Sequence, residues 1–116
     1  MTEKALVIEP GFSTADSQFP TISTVQGELV LAFIDWEERP VKVQFNGTVS
    51  YKWQVIETFV EGEYFDRSHE ILNSEWILEH IRQNEIESDD GCKHYKFNFN
   101  GSGQLEIICT GFSVSV

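Results

Sequence analysis

The chain has 116 residues, nine of them Phe, three Trp and three Tyr, and 41% are hydrophobic; this is the size of one domain and carries too much apolar mass for intrinsic disorder. Eight Lys and Arg face nineteen Asp and Glu, a net charge of −11, which excludes binding to a phosphate backbone or an anionic membrane and favours a basic partner. No apolar run approaches the ~20 residues of a membrane helix, and Met1-Thr2-Glu3-Lys4 lacks the layout of a signal peptide, so a cytoplasmic location is expected.

In chain order, Ala5 to Ile8 reads as a short strand that Pro10-Gly11 breaks, and Ser13 to Pro20 reads as loop, with Phe12 and Phe19 as its only anchors. Glu28 to Trp36 is apolar on both parities, which suits a strand covered, at least in part, on both faces. Glu37-Glu38-Arg39-Pro40 reads as a turn. Val41, Val43 and Phe45 then alternate with polar residues, the pattern of a half-buried strand. Asn46-Gly47 signals a hairpin into Val49, Tyr51, Trp53 and Val55, so a three-stranded meander is expected from residue 28 to about 60.

Residues 61–72 are acidic and read as irregular. Asn73 or Ser74 can cap a helix running to about Asn84, with Glu75 in its first turn and Trp76, Ile77, His80 and Ile81 on one stripe. Glu85 to Gly91 reads as a solvated loop. Tyr95, Phe97 and Phe99 alternate with His94, Lys96 and Asn98, and Leu105, Ile107 and Cys109 alternate with Gln104, Glu106 and Ile108. A three-residue loop at Gly101-Ser102-Gly103 pairs Phe99 with Leu105 and Phe97 with Ile107, leaving one face wholly apolar. The apolar parity changes beyond Cys109, as a bulge at Thr110-Gly111 would produce in a strand continuing to the C-terminus. The expected fold is α+β, mostly β: one domain over residues 1–116, an antiparallel sheet forming a sandwich or open barrel, with one inserted α-helix near residues 74–84.

No reaction motif appears: there is no phosphate-binding Gly-rich loop with Lys, no Gly-x-Ser-x-Gly, no His-Glu-x-x-His and no Cys-x-x-Cys. Cys92 and Cys109 lie on opposite strand parities, so both are expected to be reduced, Cys109 as core. Lys93 and His94 beside Cys92 are the feature that would lower a thiol pKa. Asp66, His69 and Glu70 have metal-ligand chemistry but no recognised spacing, and no metal or cofactor is expected. His94 is expected to be solvated on a polar strand face. Asp35, between Ile34 and Trp36, is expected at a strand end facing water, since burial would require a donor or a raised pKa.

Two stretches carry a family resemblance. Val41-Lys42-Val43-Gln44-Phe45-Asn46-Gly47 into Tyr51-Lys52-Trp53 is one; His94-Tyr95-Lys96-Phe97-Asn98-Phe99, with Leu105-Glu106-Ile107-Ile108-Cys109 and Phe112-Ser113-Val114, is the other. Over about half the chain these resemble small bacterial proteins, some assigned as immunity proteins of polymorphic-toxin systems. The resemblance implies a small, acidic, strand-built protein that neutralises a toxin by binding it, and it assigns no residue roles.

The leading expectation is therefore a non-catalytic protein-binding domain that meets a basic partner, such as a toxin, through the carboxylates Asp35, Glu37, Glu38, Glu85, Glu87, Asp89 and Asp90. The alternative is a small-ligand module or enzyme with a pocket lined by Trp36, Trp53 or Tyr51. A third reading is a homo-oligomer built through an exposed strand edge.

Overall fold

A computed structural model describes residues 2–116. The chain forms two antiparallel sheets and one helix. Its strands are β1 (Lys4–Val7), β2 (Gln18–Val25), β3 (Glu28–Ile34), β4 (Pro40–Asn46), β5 (Ser50–Gln54) and β6 (Ser68–Leu72); α1 (Glu75–Arg82) follows, then β7 (Lys93–Phe99), β8 (Gly103–Cys109) and β9 (Gly111–Ser115). One sheet has the order β1-β6-β7-β8-β5 and the other β2-β3-β4-β9, so the molecule is an open sandwich rather than a closed barrel. No helix among the described residues is long and apolar enough to cross a membrane.

The core lies between the sheets. Strict alternation turns Leu29, Leu31, Phe33, Val41, Val43 and Phe45 inward from one sheet, and Phe97, Phe99, Leu105, Ile107 and Cys109 inward from the other. Edge-to-face ring pairs bind the layers, among them Phe33–Phe99 with centroids 5.2 Å apart. Phe12 plugs one side, 5.7 Å from both Phe33 and Phe97, and is a true anchor. Phe19 is not: it stands 76% exposed.

The chain changes sheets where the sequence suggested continuity. Residues 28–46 form the expected β3–β4 hairpin, but β5 pairs with β8 and not with β4. The place beside β4 belongs to β9, with Phe45 opposite Phe112 and Asn46 opposite Gly111. Asn46-Gly47 is thus one strand of a double crossing, not a hairpin turn, and Thr110-Gly111 is the other, not a bulge in a continuous strand. The two crossings clasp each other: the Asn46 carbonyl accepts from the Thr110 N–H and hydroxyl, both at 3.0 Å, and Val49 N–H donates to Ile108 O at 2.8 Å. Gly47 has φ +61°, and a Cβ there would meet Thr110 Oγ1 at 2.7 Å.

Three further expectations are corrected. Gln18–Val25 is a strand, although Ser, Thr and Pro20 mask any apolar alternation, and Ser68–Leu72 is a strand inside the segment read as irregular. The outer face of β3 is covered in part, as expected: Val30, Ala32 and Ile34 are half-buried there. The β7–β8 hairpin is offset by two residues from the expected pairing, with Phe97 opposite Leu105 and Phe99 opposite Gly103. A two-residue offset preserves parity, so the apolar face survives. Backbone space selects this register: Gly103 lies against the Trp53 ring and Gln54 O, where a Cβ would come within 2.8 Å. Ser74 caps α1, its Oγ accepting from Ile77 N–H at 3.1 Å, and the half-buried stripe of Trp76, Ile77, His80 and Ile81 faces the sheet as expected.

Candidate functional site

The polar face of the β7–β8 hairpin is buried. The 55–67 segment and α1 fold over it and convert it into a layer of paired charges and amides. Lys96, His94, Asn98, Gln104, Glu106 and His69 all lie in it with less than a tenth of their surface exposed. Lys96 Nζ contacts both carboxylate oxygens of Glu63, at 3.1 and 3.0 Å, and donates to Thr58 O at 2.7 Å. Glu63 also accepts from Asn98 Nδ2 at 2.7 Å and from Val60 N–H at 3.0 Å. Gln104 binds both backbone groups of Thr58, its Oε1 accepting the N–H and its Nε2 donating to the carbonyl, each at 3.0 Å. A buried ion pair stands only with such satisfaction of its spare valences.

Next to it runs a chain of three side chains. Glu106 Oε1 lies 2.8 Å from His94 Nε2, and His94 Nδ1 lies 2.7 Å from Ser74 Oγ. Burial alone would raise the Glu106 carboxyl, but the His94 hydrogen bond and the charges of Lys96, His94 and Lys52 outweigh it and hold it below the ordinary 4.5. The ionised carboxylate can only accept, so His94 carries a proton on Nε2. In the neutral ring, Nδ1 then accepts the Ser74 hydroxyl. Ser74 is at once helix cap and terminal member of this chain, and its Oγ is held on both sides. Trp76 stands edge-on to the His94 ring at 5.2 Å, with Lys52 over its own face at 4.5 Å.

Two concavities border the layer. One of about 470 Å³ lies between α1 and the β6–β7 end, with Ser74, Cys92 and His94 in its wall. One of about 270 Å³ lies between α1 and the 55–67 segment, over His94, Lys96 and Glu106. Neither contains Trp36, Trp53 or Tyr51; Tyr51 lines a separate concavity of about 340 Å³, with Thr24, Leu29 and Ser50. Trp36 stands 60% exposed, Trp53 packs on Phe99 with centroids 5.8 Å apart, and Tyr51 is also exposed. The aromatic residue at the cavity is Trp76.

The proposed partner-binding carboxylates fall in two separate turns. Asp35 is buried, contrary to expectation, because it organises the β3–β4 turn. It accepts from Glu37 N–H at 3.0 Å, Arg39 N–H at 2.9 Å and Arg39 Nε at 3.0 Å. Burial pushes its pKa up; the Arg39 backbone bond, side-chain bond and charge, and the Glu37 N–H, outweigh this and lower it. Glu37 meets Arg39 at 3.1 Å, and Glu38 is exposed. In the other turn, Glu85 pairs with His80 at 3.0 Å. Glu87, Asp89 and Asp90 are exposed and bring one carboxylate oxygen each within 4.8 Å of one another, with Asp90 accepting the Glu87 N–H. The free carboxylates are thus Glu38 and the 87–90 cluster.

His69 and His94 differ from their sequence reading because strand β6 and the covering segment were not visible in it. His69 is fully buried, its Nε2 accepting Tyr64 N–H at 3.0 Å, and it shares no site with Asp66 or Glu70. Burial lowers its pKa; the Glu63 charge and a backbone bond from Lys96 oppose this, and the charges of Lys96 and Arg67 reinforce it. Both cysteines are free. Burial and Asp90 raise the Cys92 thiol rather than lowering it, and burial pushes Cys109 up to about 11, so neither is activated.

Comparison with known proteins yields no match to a family model, to a curated protein or to a solved structure. Roles for these residues therefore rest on their chemistry.

Proposed function

We propose that this chain is a non-catalytic, acidic protein-binding domain that docks a basic partner, in the manner of an immunity protein against a toxin. One observation carries the reading: the polar groups with catalytic chemistry are committed to holding the fold, while a large excess of negative charge faces solvent. Glu63, Lys96, Gln104 and Asn98 staple a segment to the sheet, Ser74 caps a helix, and Asp35 builds a turn. Glu38, Glu87, Asp89 and Asp90 remain exposed in a molecule of net charge −11. Such a surface steers a basic protein by long-range attraction and accelerates encounter.

The test is association with the protein encoded by the adjacent reading frame, followed by surface plasmon resonance over a range of ionic strength. Charge reversal at Glu87, Asp89 and Asp90 should slow association and flatten its salt dependence. An unchanged on-rate and salt slope would remove these residues, and no association at any salt would remove the immunity reading.

The Ser74–His94–Glu106 chain beside a cavity favours a second reading, a small-ligand or acyl-transfer site. Against it, Ser74 Oγ already accepts Ile77 N–H, and the neighbouring Glu75 N–H at the helix start is taken by Glu3 Oε2 at 3.0 Å. Covalent labelling of Ser74 by a fluorophosphonate, lost in His94→Asn, would establish that reading; absence of labelling removes it.

A further inference from the structure

We propose that the docking surface is centred on the segment between β5 and β6, and that it receives a basic protein segment carrying apolar side chains. This rests on the reading of the chain as an acidic binding domain and gives that reading a location. Val55, Ile56, Phe59, Tyr64 and Phe65 are exposed by 49–82% of their surface. Single exposed apolar side chains are ordinary on a protein surface, but a concentration in eleven successive residues is not. The segment reverses at a Val60–Glu63 turn, closed by Glu63 N–H to Val60 O at 3.2 Å.

The segment is not a loose loop. Thr58 is held through both backbone groups by Gln104, Glu61 O accepts Ala5 N–H at 2.8 Å, and Tyr64 is held by His69 through its N–H and by Asn98 through its carbonyl. Gly62, at φ +88°, lets the backbone touch β1, since a Cβ there would meet Ala5 O at 2.6 Å. The buried polar layer thus has a use: it fixes the segment's backbone while leaving Val55, Ile56, Phe59 and Phe65 largely outside, with Tyr64 stacked on His69 and Arg67 over its ring at 5.1 Å. Ordering cost is met on folding and not on binding, and rigid aromatic and aliphatic groups are what interface centres are made of.

Charge decides the occupant. Glu57 and Glu61 are exposed within the segment, in a molecule of net charge −11, so the complementary surface places Lys or Arg around apolar anchors. An acidic or wholly apolar partner would leave these carboxylates unpaired at the rim.

The experiment uses the whole chain as bait for a phage-displayed random dodecapeptide library. Enriched peptides are synthesised, their affinity measured at low and high salt, and their footprint mapped by backbone amide chemical shifts. The expected peptides combine aromatic or aliphatic residues with Lys or Arg, shift residues 55–65, and lose affinity in salt. Ile56→Asp with Phe59→Asp should weaken them by at least about tenfold. Phe65→Ser, an independent exposed position, should weaken them as well, and neither variant should move the urea midpoint. Peptides that footprint on Glu87–Asp90 would overturn this location and leave the acidic-docking reading standing. Enrichment of acidic peptides, or of none, would overturn both. Shifts at 55–65 that grow with protein concentration alone would assign the face to a second copy of this chain and overturn the basic-partner proposal.

Discussion

The two faces of the β7–β8 hairpin are made by the same two strands and are both buried, yet they are buried by different means. On one, Phe97, Phe99, Leu105 and Ile107 meet the opposite sheet in a dry core, where affinity is nondirectional and proportional to area. On the other, His94, Lys96, Asn98, Gln104 and Glu106 meet the 55–67 segment and α1 through directed bonds. The dry face tolerates a two-residue offset in pairing because hydrophobic contact does not record register beyond parity. The polar face tolerates none, since Lys96, Asn98 and Gln104 each donate to fixed acceptors on the covering segment. The first face makes the domain fold; the second determines which surface it presents.

Breaking the dry face should cost most. Phe97→Ala is expected to lose about 4 kcal/mol in urea denaturation, from lost burial and the cavity left behind. Lys96→Met should cost about 3 kcal/mol because it strands the Glu63 carboxylate, whose side chain is fully buried. Adding Glu63→Leu should recover part of that loss; a double variant as unstable as the sum of the two singles would show that the pair is not coupled. Ser74→Ala removes a helix cap and the bond to His94, and should cost about 1–2 kcal/mol without altering the core.

The polar face should also be the acid-sensitive one. His69 has a lowered folded pKa, so the stability it confers is complete above its ordinary 6.5 and is lost as pH falls toward the folded value. Glu106 is also lowered, so its contribution is complete above 4.5 and is lost as pH falls through its folded value. Both act in the same direction. Urea midpoints measured from pH 8 downward, roughly the window these groups span, should fall in acid, and Glu106→Gln should be less stable than the parent at neutral pH and show a shallower acid limb. A parent-like acid limb in that variant would mean that Glu106 does not contribute. The smallest effect is expected at the exposed cluster: Glu87→Lys should change stability by less than about 0.5 kcal/mol.

The candidate site was legible only in part. The exposed carboxylates Glu87, Asp89 and Asp90 and a helix cap at Asn73 or Ser74 could be read directly, because charge density and helix starts are local patterns. Asp35 could not be placed, because its burial depends on Arg39 folding back over it. His94 reads as solvated, and Lys96 shares its polar parity, since alternation separates polar from apolar residues but does not say what covers the polar side. The apolar content of Val55, Ile56, Phe59, Tyr64 and Phe65 was visible as composition, yet nothing local distinguishes such residues from core.

What the amino-acid order determined by itself was the mostly-β class, the helix at Glu75–Arg82, the β3–β4 hairpin and the inward set Phe97, Phe99, Leu105, Ile107 and Cys109. All follow from periodicity and capping within a few residues. Tertiary structure alone decided that β9 and not β5 lies beside β4, that residues 68–72 are a strand, and that a polar strand face is sealed by Glu63 and Thr58. Those outcomes depend on contacts between segments distant in the chain, where several pairings satisfy the same alternation and only mutual fit and hydrogen-bond completion choose among them.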